Sequence, residues 1–336
     1  MRPRIFFVHT GNETFVKLDY KILSGLAEIQ DFYAVRKFPV DFIQYWRGVK
    51  NSDVVFCWFA SWNSFWTLLF AHLFGRPSVL VIGGYDLANL PEANYGHQRG
   101  GLGKLVSRAA MRLATVRFTN SFYSQKEAQM NAGIPPEKVR VIYHGVPDPF
   151  GAIPVNPKER MALTVGKVDH PNLLRKGLEP FVRAAVYLPD VQFALVGAWA
   201  DDAIDYLRSI ATSNVVFTGR VSDEELLDYY CRASVYVQAS LHEGFGLSVA
   251  EAMLAGCIPV VTRAGSLPEV VGEYGVFCEN NSPEAVANGI RSAIISPSVD
   301  RQRIRERILI EFPIKKRKEA LERVIQKIRT SYYDVR

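Results

Sequence analysis

Apolar residues along this chain come in short dense runs, separated by longer stretches in which they recur at helical spacing. IFFVH, DVVFCWF, SVLVI, TVRFT and KVRVI form one series; MALTVG, VQFALVG, NVVFTG, SVYVQA and IPVVT form a second. Runs that are apolar at successive positions predict strands buried on both faces, as parallel sheets require, and the stretches between them predict crossover helices. HGVPDPFGAIPVNPKER, rich in proline and glycine and without periodicity, separates the series and predicts a linker near residues 147–158. The expectation is an α/β protein with two Rossmann-like, doubly wound domains, 1–150 and 151–312. Beyond Pro313, IKKRKEALERVIQKIRTSYY spaces apolar residues for a closing amphipathic helix over 313–336, expected to pack back toward the N-terminal domain. A length of 336 residues agrees, because one hydrophobic core stops growing below that size.

One run tests the soluble reading. Val54 to Phe74 carries no formal charge and nearly reaches the roughly 20 residues of a membrane span. Ser61, Asn63, Ser64 and His72 interrupt it, and the strand-like SVLVIGG follows at once, so a strand, a turn and a buried helix are expected. With 48% hydrophobic and 22% charged residues, the composition excludes a disordered chain. Cys57, Cys231, Cys257 and Cys278 show no CxxC spacing, which argues against a zinc site and suits a reduced, cytoplasmic setting. The net charge of +6 lies in the N-terminal half, where 17 Lys+Arg stand against 11 Asp+Glu over residues 1–150. Lys104, Arg108 and Arg112 recur every four positions, one cationic stripe on a helix, which leaves peripheral contact with an anionic membrane open.

In open α/β sheets ligands bind beyond the carboxyl ends of strands, so chemistry is expected in the loops there, facing a central cleft. VYVQAS, HEGFG and LSVAEAMLAG read as a strand, its exit loop and a helix, with Glu243 in the loop and Glu251 in an early helical turn. Gly244 and Gly246 admit close approach to the backbone, and the amides of Phe245, Leu247 and Ser248 at a helix start favour an anion such as a diphosphate. The competing structural explanation is a capping box, Ser248 with Glu251, which needs no ligand. It leaves Glu243 without a purpose.

From Ala233 to Glu269 the chain resembles the signature of retaining glycosyltransferase family four, of GT-B fold, with Glu243 and Glu251 on its E-x7-E motif. The resemblance implies that Glu251 binds the nucleotide ribose, that Glu243 contacts the donor sugar, and that backbone amides from Gly244 through Ser248 meet sugar and phosphate. MALTVGKVDHPNLLRKGLEP is similar to the family's first strand and diphosphate loop, with Lys176 in the KG element. Where the family commonly has arginine after the strand glycine, this chain has Lys167, a point charge without a guanidinium fork; Arg175 is an alternative. GRVSDEELL resembles the element whose backbone, near Arg220 and Val221, flanks the nucleobase, although Ser222 with Glu225 also spells a capping box. The implied donor is a nucleotide diphosphate sugar, with no cofactor. Negative charge develops on the departing phosphate, and Lys176 rather than a metal is expected to meet it. Asp201, Asp202 and Asp205 form the one acidic cluster weighed as a metal site, and first-turn acids explain them without an ion.

The N-terminal half departs further from the family. Its glycine loop is reduced to Thr10 and Gly11, and VIGGYDLAN offers Tyr85 and Asp86 as acceptor-side residues, Asp86 also as a catalytic candidate with Glu243 and Lys176; a glycine turn with an Asp cap explains that pair as well. GGLGKL fails the P-loop pattern, and basic clusters lack the interleaved aromatics of RNA readers, so nucleic acid is not an expected partner. The reading is a hexose-type transferase acting on a sugar, lipid or small-molecule acceptor. Alternatives are a nucleotide-sugar hydrolase or epimerase, or a non-catalytic nucleotide-sugar-binding protein.

Overall fold

The computed structural model describes residues 2–11, 13–34, 40–152, 157–295 and 300–333. Part of the expected linker, 153–156, lies outside the described residues. The chain divides into two compact units, one of residues 1–91, 95–145 and 314–336, the other of residues 92–94 and 146–313. Each is built on a six-stranded sheet whose strand pairs are all parallel.

The first unit carries β1 (Arg4–His9), β2 (Glu28–Tyr33), β3 (Val54–Trp58), β4 (Ser78–Val81), β5 (Val116–Thr119) and β6 (Arg140–Val141), in the order β2-β1-β3-β4-β5-β6. Alternation along the strands sends Phe6, Val8, Val55 and Cys57 to one core, and Ile5, Phe7, Val54, Phe56 and Trp58 to the other. The helix Ile314–Tyr333 closes the second core with Leu321, Val324, Ile325 and Ile328. It is pinned by the buried Arg317, whose guanidinium donates to both carboxylate oxygens of Asp19 at 2.9 and 2.6 Å and to the Ile142 carbonyl at 2.6 Å. Both side chains are essentially buried, so each ion depends on the other for its compensation.

The second unit carries β7 (Glu159–Val165), β8 (Gln192–Val196), β9 (Val215–Gly219), β10 (Ala233–Gln238), β11 (Ile258–Val261) and β12 (Val276–Phe277). Its order is β9-β8-β7-β10-β11-β12, the strand order of a dinucleotide-type Rossmann sheet, in which the winding reverses between β7 and β10. In the first unit the reversal falls between β1 and β3.

The charge-free run resolves into β3 and the helix Trp62–Leu73. Among the described residues no helix is long and apolar enough to cross a membrane. Phe65, Trp66, Phe70 and Phe74 of this run pack in or against the first core. The expected cationic stripe is corrected on the helix Gly101–Leu113. Arg108 turns inward, donating to Gln98 Oε1 at 3.1 Å and to the carbonyl of Asn131 in the last turn of the helix Phe122–Ala132, so it ties neighbouring elements together instead of extending a charged face.

Candidate active site

The loops after β7 and β10 leave the sheet side by side, and three close approaches fix them. Gly177, at φ 69°, backs onto the exit of β10 so tightly that a Cβ there would lie 2.1 Å from the Ala239 carbonyl oxygen. Leu241 N–H donates to the Arg175 carbonyl at 2.9 Å, joining the same two loops. On the other flank Gly265, at φ 62°, leaves no room for a side chain, because its Cβ would lie 2.2 Å from the Glu243 carbonyl oxygen. That oxygen accepts from Ser266 N–H and Ser266 Oγ, both at 3.0 Å.

The clamp places Lys176 Nζ 3.4 Å from Glu243 Oε2, across the point where the winding of this sheet reverses. The side chains are only 20% and 16% exposed. Burial pushes the Glu243 carboxyl up, but Lys176 and Arg175 outweigh it and hold the group below the ordinary carboxylate range. Glu243 is therefore an anion at neutral pH. Arg175 is itself oriented by Asn172, whose side-chain oxygen accepts from its Nε at 3.0 Å and its Nη2 at 2.5 Å.

Glu251 occupies a different environment. It is the fifth residue of the helix Leu247–Leu254, and its Oε2 accepts from the buried Tyr230 hydroxyl at 3.0 Å. Burial pushes its carboxyl up to about 7, against the opposing pull of Tyr230, and Asp223 adds to the rise. Two glutamates eight positions apart thus differ in how readily they ionise near neutrality. Between them stands Tyr236, whose hydroxyl accepts from Val165 N–H at 3.3 Å and donates to Gln238 Oε1 at 3.2 Å. Burial raises its pKa, and both glutamates add to the rise, so the two acids lie within electrostatic reach of one hydroxyl.

The capping-box expectation for Ser248 and Glu251 is overturned. The N-cap is Gly246, at φ 92° and ψ 51°, with no side-chain cap bond. Ser248 is already inside the helix and hydrogen-bonds Tyr236, which leaves Glu251 to Tyr230. A left-handed N-cap favours glycine, and it leaves the first helical amides, from Leu247 on, without a side-chain partner of the capping kind. By contrast, Ser222 and Glu225 do form a capping box, with Ser222 N–H to Glu225 Oε2 at 2.8 Å and Glu225 N–H to Ser222 Oγ at 3.2 Å; Val221 lies half-buried in the turn before it.

Of the remaining candidates, Lys167 pairs with Asp169 at 2.9 Å, with 60% of its side chain exposed. Gly244 is half-buried and Phe245 buried, its ring edge-on to Phe312 at 5.3 Å. Asp205 faces Arg208 at 3.7 Å, while ligand atoms of His170, Asp201 and Asp202, all exposed, lie within 4.8 Å of one another. In the first unit, Thr10 and Gly11 follow β1, and the Gly11 carbonyl accepts from His9 Nδ1–H. Tyr85 is 42% exposed, edge-on to Tyr95 and His97. Asp86 is placed inside this unit, 1% exposed, its two oxygens accepting from Ala60 N–H at 2.7 Å and Gly83 N–H at 2.8 Å. Burial pushes its carboxyl up to about 7, partly offset by those two amides. Its observed task is to join the exits of β3 and β4.

Sequence reasoning missed Tyr230 and Tyr236: Tyr236 reads as one more apolar position of a buried strand, and Tyr230 as one aromatic on a largely polar helix, where it is the buried residue. Their signal is a hydroxyl where an entirely apolar residue would serve.

Residues 159–295 match the family model described as Glycosyl transferases group 1. An uncharacterized glycosyltransferase of Methanocaldococcus jannaschii is 32% identical over 178 residues, 46% of this chain and 45% of the relative. The O-antigen chain mannosyltransferase B of Escherichia coli is 30% identical over 160 residues, 44% of this chain and 41% of the relative. The chain thus spans under half the length of either relative. HepE of Anabaena, solved in complex with UDP and glucose, superposes with a TM-score of 0.77 at 17% identity, covering 97% of this chain and 100% of that one. The fold is of the GT-B type, with two Rossmann-like domains.

Proposed function

We propose that the protein is a retaining glycosyltransferase that moves a hexose from a nucleotide diphosphate sugar to an acceptor hydroxyl. The observation that carries this reading is the Lys176–Glu243 pair at the winding reversal of the second sheet, 3.4 Å apart and largely withdrawn from water. Names of the relatives support transfer chemistry, one of them mannosyl transfer, and a structural neighbour was solved with UDP and glucose.

In this reading the bond between the sugar's anomeric carbon and the diphosphate breaks, and the electron pair leaves on the phosphate oxygen. Lys176 and the amides running from Gly244 to Ser248 meet that developing charge. Glu243, fixed as an anion by Lys176 and Arg175, accepts hydrogen bonds from donor sugar hydroxyls. Glu251 accepts from a ribose hydroxyl, which favours its ionised form and draws its pKa down from about 7 on binding. The acceptor oxygen forms the new bond to the anomeric carbon on the face the diphosphate leaves, and its proton passes to the departing phosphate oxygen. Retention, cytoplasmic location and independence from metal belong to the same proposal, as does an acceptor of sugar or lipid type. Tyr85 stands as the exposed acceptor-side residue, and Lys167 and Val221 as outer contacts of the donor.

Incubation with a panel of labelled nucleotide sugars tests it. A thermal shift with one donor, followed by transfer to an added glycan or lipid acceptor with the anomeric configuration kept, is expected. Release of free sugar with equal efficiency whether or not acceptor is present would identify a hydrolase. Folded Lys176→Ala and Glu251→Ala variants that bind donors as tightly as the parent would overturn the assignment, and loss of activity on chelation would overturn metal independence.

A further inference from the structure

At the amino ends of β4, β5 and β6, away from the strand exits that carry Tyr85 and Asp86, the first unit contains a cavity of about 360 Å³. This is within the size range of pockets that hold small organic ligands. Its charged lining is Arg76, Arg140 and Lys327, with His72 beside them, and no acidic residue contributes to it. Its floor is apolar, with Leu113, Val116 and Ile328 among the contributors. Every lining residue belongs to this one unit.

Basic residues gather at helix ends to satisfy carbonyl groups, so that explanation must be removed first. Two helices end here, Trp62–Leu73 and Gly101–Leu113. At the first, the Ala71 and His72 carbonyls accept from Arg76 N–H at 2.7 Å and Gly75 N–H at 3.1 Å. At the second, Arg117 does the work, donating to the Met111, Arg112 and Ala114 carbonyls. Arg76 itself donates to the Lys50 carbonyl at 3.1 Å. The two hydroxyls at the rim satisfy each other, since Ser78 and Thr115 exchange backbone-to-hydroxyl bonds of 3.1 Å in both directions. Arg140 and Lys327 are left over. Both are exposed at the surface, and among the described residues neither forms an ion pair.

Two unneutralised cations over an apolar floor, with no carboxylate opposed to them, are complementary to an anionic head on an apolar stem. We infer that this cavity binds an organic anion, a phosphomonoester head held by Arg140 and Lys327 with its apolar stem against Leu113, Val116 and Ile328. Arg76 flanks the head, and the guanidinium of Arg140 supplies the paired donors that a phosphate oxygen pair accepts. The site is independent of the donor chemistry assigned above, since it lies in the other unit. A soluble metabolite and the head group of a membrane lipid share this chemistry.

Hexyl phosphate, inorganic phosphate and hexanol, titrated calorimetrically into the full chain carrying Lys176→Ala, provide the test. That variant suppresses phosphate binding at the proposed donor site. Hexyl phosphate is expected to bind saturably and at least tenfold tighter than either of the other two probes. Arg140→Glu combined with Lys327→Glu, two exposed positions, is expected to weaken it by about a hundredfold, tenfold for each charged hydrogen bond lost, with the melting temperature unchanged. In parallel, phosphatidylcholine vesicles doped with phosphatidic acid are sedimented with the protein. Co-sedimentation that the double variant abolishes assigns the head group to a lipid; saturable hexyl phosphate binding without co-sedimentation assigns it to a soluble ester. Hexyl phosphate binding that the charge reversals leave intact, or that hexanol matches, overturns the inference.

Discussion

The two sheets reverse their winding at equivalent places, yet they furnish those places with opposite materials. In the second unit the reversal between β7 and β10 is lined by Lys176, Glu243 and the glycine-bounded loops that hold them. In the first, the reversal between β1 and β3 is aromatic. Phe15 lies 5.1 Å from Trp58 and 4.9 Å from His144, ring centre to ring centre, and Trp58 stacks on His144 at 6.0 Å. Burial, reinforced by the Arg317 cation, holds His144 well below the usual imidazole range, so the ring is neutral there. Phe59, next along, is one of two non-glycine residues with positive φ among those described, at 65°. One architecture therefore supports a partly open ion pair in one copy and, in the other, an aromatic cluster backed by the fully buried Arg317–Asp19 pair. Topology decides where a ligand can go, and the loop residues decide which ligand.

Four substitutions would break or sharpen that contrast. The largest effect is expected in the first unit, from Arg317→Met. It strands the Asp19 carboxylate in the core and removes a cation 5.9 Å from the Trp58 ring, so chemical denaturation should show a loss of about 3–5 kcal/mol in that unit. Lys176→Ala comes next. Turnover of the donor should fall by about a hundredfold or more, as when one charge-stabilising donor is removed from a reacting anion, while the melting temperature stays near that of the parent. If turnover survives, the charged reversal is structural and the contrast collapses.

Gly177→Ala forces a side chain into the left-handed region and against the Ala239 carbonyl. A cost of about 1–3 kcal/mol from the backbone alone is expected, with a loss of activity out of proportion, because the loop that carries Lys176 is displaced. The smallest effect is that of Glu251→Gln. The Glu251 carboxyl sits at about 7 in the folded chain and in the ordinary range when unfolded, so the protonated form favours folding. That contribution is complete below the ordinary carboxylate range and is lost as pH rises through about 7. Glutamine cannot ionise, so the variant should melt about 2–4 °C higher than the parent at pH 8 and show no gain at pH 5. The same variant should bind donor less well.

Most of the first unit's sheet and nearly all of the second's could be read from apolar runs, because strands covered on both faces have no reason to alternate. β2 escaped. EIQDFY lies at a sheet edge, is largely exposed and is half polar, so its pairing with β1 over Arg4 to His9 has no hydrophobic signature. β12 escaped for its length of two residues. In the site, Glu243 was conspicuous as an acid beside glycines at a strand end, whereas Lys176, which follows the short helix His170–Arg175, was named through the resemblance of its KG element. The contacts that bring those residues together were not legible. Gly177 meets Ala239 and Gly265 meets Glu243 across sequence separations that no local pattern spans. The S-x-x-E pattern at Ser248 misled for a related reason, since where a helix begins depended on the backbone of Gly246 and on a tyrosine in the strand before it.

The helix Ile314–Tyr333 has one more consequence, for the order of events during synthesis. Leu321, Val324, Ile325 and Ile328 belong to a core whose other members lie mostly before Ile142, so the unit begun earlier is completed only after the later one has been made. Until that helix arrives, Asp19 lacks its cation and the face of the sheet beside the helix Thr14–Ser24 is only partly covered, so the nascent chain must shelter the rest while the intervening 168 residues from Val146 to Pro313 are made.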